Sequence, residues 1–152
     1  MTTSDLRDIT LGQLLDQVVA EHPDNEALVY VDRDFRLTYK QFGALVDDLA
    51  KGLMALGVAK GEKVAVWATN VPYWVALQYA TAKIGAILLT VNTNYKRNEL
   101  KYLLSHSESE NIFIIDGFRD SDYIEILYDL APELRTMQRG AVKSATFPHL
   151  KR

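Results

Sequence analysis

The sequence has no cysteine. That excludes disulfides, thiolate metal ligands and a cysteine nucleophile, and it fits the cytoplasm, the compartment expected here. Proline is scarce, four in 152 residues, so each one marks a boundary. The eight glycines are scattered and form neither GxGxxG nor GxxxxGK[ST], so no phosphate loop is present. Apolar runs are short: Ala86–Val91 cannot span a bilayer, and no transmembrane segment is expected. The opening residues carry Asp5, Arg7 and Asp8 and no apolar stretch, so they do not read as a signal peptide. Neither charge sign dominates, with 17 basic and 20 acidic residues, which argues against a nucleic-acid partner.

What is present is the alternation of helix and strand patterns. Residues 1–9 form a polar lead-in, and 1–152 reads as a single domain or subdomain. Thr10 and Gln13 make a capping box before Leu11, Leu14, Leu15 and Val18, which keep helical spacing until Pro23. Ala27–Val31 and Arg36–Tyr39 read as a strand pair across Asp32-Arg33-Asp34. A second capping box, Thr38 and Gln41, opens a long amphipathic helix. Phe42, Leu45, Val46, Leu49, Leu53 and Leu56 line one of its faces. Gly57 and Val58 supply its Schellman ending.

Val64–Ala68 is a short, continuous apolar run that suits a strand covered on both faces. Thr69 or Asn70 can cap the next helix, Tyr73–Ile84, with Pro72 in its first turn. This helix is nearly all apolar and should be buried or face a partner. Gly85 ends it, and Ala86–Val91 reads as a second buried strand, parallel to the first through a right-handed crossover. Asn92-Thr93-Asn94 offers caps for a helix over Lys96–Ser105. Asn111–Ile115 is a third buried strand. Ser121 or Asp122 opens a last helix that reaches Leu130, and Pro132 closes it. Phe147–Leu150 approaches a further strand. The fold class is therefore α/β, a mainly parallel sheet flanked by helices.

No constellation of side chains announces chemistry. His22, His106 and His149 are not at metal-ligand spacing, and no GxSxG elbow exists. Asp47 and Asp48 are adjacent on a helix and so point apart, as a solvated face rather than an acid–base pair. Glu108 and Glu110 read the same way on a loop. Trp67, Tyr73, Trp74, Tyr79 and Tyr95 cluster in sequence, but helix and strand periodicity accounts for most of them as core. No catalytic, cofactor-binding or metal-binding residue is assigned.

The ordered series of segments resembles the N-terminal part of the AMP-binding (adenylate-forming) acyl-CoA synthetases. The residues that carry the likeness run LTYKQFGALVDDLAKGLMALGVAKGEKVAVWATNVPYWVALQYATAKIGAILLTVN. In that family a TY before an amphipathic helix leads to L…LGV..GD.VA, then N..EW, then A..K.GA…..N. ITLGQLLDQVVAEHPDNEALVY, NTNYKRNELKYLLSHSESENIFI and Phe147–Lys151 fit the flanking segments. VNTNYKRNEL looks most like the fatty-acyl members. Glu62 stands for the usual Asp, Tyr73 for a common Glu and Thr90 for a frequent Pro.

The resemblance implies an N-terminal subdomain of a larger adenylate-forming domain. The parent would use ATP, Mg²⁺ and CoA to make an acyl thioester, with a fatty acid as substrate; an aryl or amino acid is the alternative within the superfamily. The family's phosphate loop (SGTTG.PKG), adenine segment, ribose-binding Asp and C-terminal Lys are not in these residues. No family catalytic residue carries over, and the implied partner is the remainder of the synthetase chain. A different class of protein also fits: a stand-alone α/β module binding a ligand at the carboxyl ends of its strands, near Thr69-Asn70 and Asn92–Asn94. The apolar helix Tyr73–Ile84 argues against a closed surface and opens the way to a homodimer through exposed apolar surface.

Overall fold

The computed structural model describes residues 8–138 and 140–152, so the lead-in over residues 1–9 lies outside the described residues except for Asp8 and Ile9. The Thr10 hydroxyl accepts from the Gln13 amide and the Gln13 side chain accepts from the Thr10 amide, opening α1 (Leu11–Glu21). β1 (Glu26–Tyr30) and β2 (Phe35–Thr38) pair antiparallel as the expected hairpin. Their connection is a single 3₁₀ turn that ends on Asp34 in the left-handed region, at φ 49°. Thr38 and Gln41 repeat the reciprocal cap at α2 (Tyr39–Ala55). That helix ends in a Schellman motif, with Gly57 at φ 86° and the Val58 amide donating to the Leu53 carbonyl at 2.9 Å.

β3 (Lys63–Trp67) is the centre of the molecule. Val64, Ala65, Val66 and Trp67 are each no more than 2% exposed. β4 (Ile87–Thr90) and β5 (Asn111–Ile114) flank it, both parallel, in the order β4-β3-β5. α3 (Pro72–Ile84) joins β3 to β4, and α4 (Arg97–Ser107) joins β4 to β5. Strand alternation sorts β3 between two cores. Val64 and Val66 face a cluster built from α1, α2 and α3, around Leu15, Phe42, Val46, Leu53 and Ala76. Ala65 and Trp67 face a second cluster with Leu100 and Leu104 of α4, Tyr123 and Ile126 of α5 (Tyr123–Leu130), and Phe147 and Leu150. Helices thus cover both faces of the sheet, the arrangement expected of parallel strands.

Several elements differ from the sequence reading. β4 is not buried: it is an edge strand whose Ile87 is 52% exposed and whose Thr90 faces solvent. A short apolar run reads the same at an edge as in the centre, and only pairing order separates them. Leu56 continues the apolar stripe of α2 but is 54% exposed. α3 is capped by neither Thr69 nor Asn70; Val71 holds the N-cap position with no side-chain bond. Pro72 at the first helical position has no amide to satisfy, which reduces the need for a cap. α4 is likewise not capped by Asn92-Thr93-Asn94. Its N-cap is Lys96, whose amide donates to the Glu99 carboxylate at 3.1 Å. A tight ribbon of β6 (Gly117–Phe118) and β7 (Ser121–Asp122) precedes α5, and Asp122 caps that helix through the Glu125 amide.

Candidate functional site

In open parallel sheets the carboxyl ends of the strands are where ligands usually bind. Here those ends lead into Thr69-Asn70 after β3, Asn92–Asn94 after β4 and Asp116-Gly117 after β5. The structure does not gather the two stretches singled out from sequence into one site. A groove of about 690 Å³ opens between the hairpin and the ends of β3 and β5. It is lined by Arg33, Phe35, Thr69, Tyr73 and Asp116, and Asn92–Asn94 are not among its walls.

Asn92–Asn94 are instead tied into the second core. The Trp67 indole N–H donates to the Asn92 carbonyl at 3.0 Å, and the Tyr123 hydroxyl donates to the Thr93 carbonyl at 2.7 Å. The two rings stack at 3.6 Å and 10°. The Asn92 side chain accepts from the Asn94 amide at 2.9 Å, closing a local turn. Burial raises the Tyr123 phenol above its usual pKa, so it stays a neutral donor to that carbonyl. The five clustered aromatics diverge accordingly. Trp74 and Tyr79 pack on the first core, Tyr79 edge-on to Phe42 at 5.7 Å. Trp67 and Tyr95 belong to the second core, and Tyr73 is exposed.

The titratable candidates serve structural ends. Asp47 and Asp48 point apart as expected: Asp47 accepts from Lys83 Nζ at 2.6 Å and Asp48 from Lys51 Nζ at 3.4 Å. Lys83 also reaches Asp16 at 2.5 Å, joining α1, α2 and α3. Burial opposes its charge, but the two carboxylates outweigh that and raise its pKa. Glu110 is not a solvated loop residue. Its carboxylate accepts from the Lys63 amide at 2.7 Å and caps the start of β3. His106 stacks on Tyr102 on the outside of α4, and His149 stands 4.0 Å from Glu108. Among the described residues no three His, Asp or Glu side chains converge as metal ligands, and no buried side-chain polar atom lacks a partner.

The densest polar constellation is at the opposite end of the sheet, and no local pattern of residues announces it. Glu62, at the turn into β3, accepts from Lys151 Nζ at 2.7 Å, Arg152 Nη1 at 3.0 Å, Asn111 Nδ2 at 3.3 Å and the Ala59 amide at 3.4 Å. Burial alone would raise its pKa, but these donors overcome it and hold the carboxyl at about 2. Two of its partners lie 89 and 90 residues away, beyond the reach of any spacing rule.

The family model for AMP-binding enzymes matches residues 15–148. YngI of Bacillus subtilis (strain 168), whose name assigns it provisionally as an acyl-CoA synthetase, is 49% identical over 142 residues, 93% of this chain and 26% of YngI. The mitochondrial medium-chain acyl-CoA ligase ACSF2 of Mus musculus is 38% identical over 149 residues, 98% of this chain and 24% of the ligase. The chain thus spans about a quarter of the length of these relatives. The crystallised N-terminal domain of FACL13 from Mycobacterium tuberculosis superposes with a TM-score of 0.67 at 35% identity, covering 69% of this chain and 26% of that one. By family model, relatives and fold alike, the chain belongs to the AMP-binding enzyme family, among acyl-CoA synthetases and ligases.

Proposed function

We propose that these 152 residues are the N-terminal structural part of an ATP-dependent acyl-CoA synthetase and carry none of its catalytic groups. The parent activates a carboxylic acid with ATP and Mg²⁺ and forms the CoA thioester, with a fatty acid as substrate and the cytoplasm as its compartment. The observation that carries this reading is the near-complete coverage of the chain by proteins about four times its length that are named as acyl-CoA synthetases or ligases. The fatty-acid assignment draws on the relative named as a medium-chain ligase and on the VNTNYKRNEL segment.

In this reading the chain's task is mechanical. It supplies a three-stranded sheet with both faces covered, and it presents Leu56, Tyr73 and Ile87 as apolar surface for the remainder of the synthetase. No step of the chemistry runs through residues 8–152. The test begins with the intact mass of the native gene product. A mass several times 17.2 kDa is expected. Acid-dependent ATP–pyrophosphate exchange is then measured on that product with medium- and long-chain fatty acids, benzoate and amino acids, and on residues 1–152 alone. Exchange by the long form with fatty acids, and none by residues 1–152, is the expected result. Robust exchange by residues 1–152, or a native mass near 17.2 kDa, overturns the proposal.

A further inference from the structure

The two cores on the faces of β3 are built in different ways. The buried members of the first lie between Leu15 and Ala80, on α1, α2, β3 and α3 and at Val58, elements that follow one another in the chain. Lys83 ties its three helices together through Asp16 and Asp47. The second core draws on Ala65 and Trp67 of β3, on α4 and α5, and on the distant Phe147 and Leu150, which are 2% and 3% exposed. Those two side chains sit on residues 142–152, a stretch with neither helix nor strand. An apolar groove of about 650 Å³ runs beside this core, with Ile124, Leu127, Tyr128 and Leu150 among its walls. Side chains that line such a gap lose contacts on one side.

The stretch is fastened almost entirely at one end. The Lys151 and Arg152 amides donate to the Glu110 carbonyl at 2.7 and 3.2 Å, and the Ile112 amide donates to the Arg152 carbonyl at 3.0 Å. The charged groups then reach the connection between α2 and β3. Lys151 Nζ and Arg152 Nη1 donate to Glu62 at 2.7 and 3.0 Å, and Arg152 Nη2 donates to the Gly57 carbonyl at 2.8 Å. Glu62 and Gly57 lie on either side of Val58, a buried member of the first core. The Val142 amide donates to the Lys151 carbonyl at 3.1 Å, so both ends of the stretch depend on the same clasp. Phe147 and Leu150 therefore plug one core while their anchor belongs to the other.

We propose that residues 142–152 are a strap that latches the second core shut. When the clasp on Glu62 and Gly57 releases, Phe147 and Leu150 leave together. α4 and α5 lose that cover and open as one unit, while α1, α2 and α3 stay packed on the other face of β3. Each β3 side chain faces one core only, so the loss of one core does not strip the other. The latch is made of contacts within the chain and does not depend on the synthetase reading.

Hydrogen exchange of the native gene product, whatever its mass, tests the latch. Exchange is followed by mass spectrometry in low urea, with peptides covering α2, α3, α4, α5 and residues 142–152. The strap, α4 and α5 are expected to share one opening constant, at least about tenfold larger than that of α2 and α3, with a shallower dependence on urea. One opening constant and one urea slope for all five overturns the proposal. So does rapid exchange of the strap alone with α4 and α5 as protected as α2, because that is fraying and not a latch.

Two variants add an independent reading. Glu62→Gln weakens the clasp and should raise opening of the strap, α4 and α5 together by about tenfold or more. No change in these peptides overturns the clasp. Val46→Ala weakens only the first core, where Val46 is fully buried. It should speed exchange of α2 and α3 by about tenfold or more and leave α4 and α5 within about twofold. Equal acceleration of all the helices overturns the latch. Should Val46→Ala fail to fold, the unsubstituted protein still decides through its opening constants and urea slopes.

Discussion

Glu62→Gln isolates the ionic part of the network that pins the end of the chain to the sheet. The substitution keeps the shape of the side chain and removes its charge. Glu62 is only 12% exposed, Arg152 20% and Lys151 52%. In the folded state the carboxyl titrates at about 2, against 4.5 for the unperturbed group. Each pKa unit corresponds to about 1.4 kcal/mol, so the full depression is worth about 3 kcal/mol at pH 7. Screening at the half-exposed Lys151 reduces this to about 2 kcal/mol.

The sign follows from proton uptake. A folded pKa below the unfolded one means that the unfolded state binds more protons between the two values. The stabilisation is therefore complete above the unfolded value of 4.5 and is lost as pH falls toward about 2. Urea unfolding at pH 7, 5 and 3 should show the variant about 2 kcal/mol weaker at pH 7, with more than half of that gap gone by pH 3. A gap under about 0.5 kcal/mol at pH 7, or two pH profiles that run parallel, would refute the reasoning.

Lys83→Met should cost about 1–3 kcal/mol at pH 7, because it leaves Asp16 and Asp47 facing each other without their cation. The Lys83 pKa is raised in the folded state, so its contribution is present below the ordinary value of 10.5 and is lost as pH rises above it. Alkaline titration of stability should therefore be shallower in the variant, and identical profiles would discount the triad. Trp67→Phe removes the bond to the Asn92 carbonyl and part of the stack on Tyr123. It should cost about 2 kcal/mol in urea unfolding, and a loss under about 0.5 kcal/mol would show that the Asn92–Asn94 loop is held by other contacts.

Local chemistry was legible in the chain. The reciprocal caps at Thr10–Gln13 and Thr38–Gln41, the Schellman glycine at 57 and the apolar run of β3 all appear where their residues direct, and of Ser121 and Asp122 it is Asp122 that caps the last helix. Each depends on groups within about five residues of one another, and at that range side-chain geometry and backbone preference suffice. The family likeness was legible for the same reason, as an ordered series of such local signals.

What the sequence could not decide was anything that depends on two distant segments meeting. β4 reads like β3, but pairing order makes one an edge and the other the centre. Glu62 looks like an ordinary turn residue until Lys151, Arg152 and Asn111 arrive from the far end of the chain. Thr69-Asn70 and Asn92–Asn94 both follow parallel strands, yet the Trp67–Tyr123 stack claims the second stretch for the core. The sequence by itself determined the five helices, the hairpin, the three parallel strands, the two reciprocal caps at Thr10 and Thr38, and the family. Only the tertiary structure determined which strands are edges, which charges are paired and which loops are tied down, because those outcomes are set by packing between elements and not by the residues of any one of them.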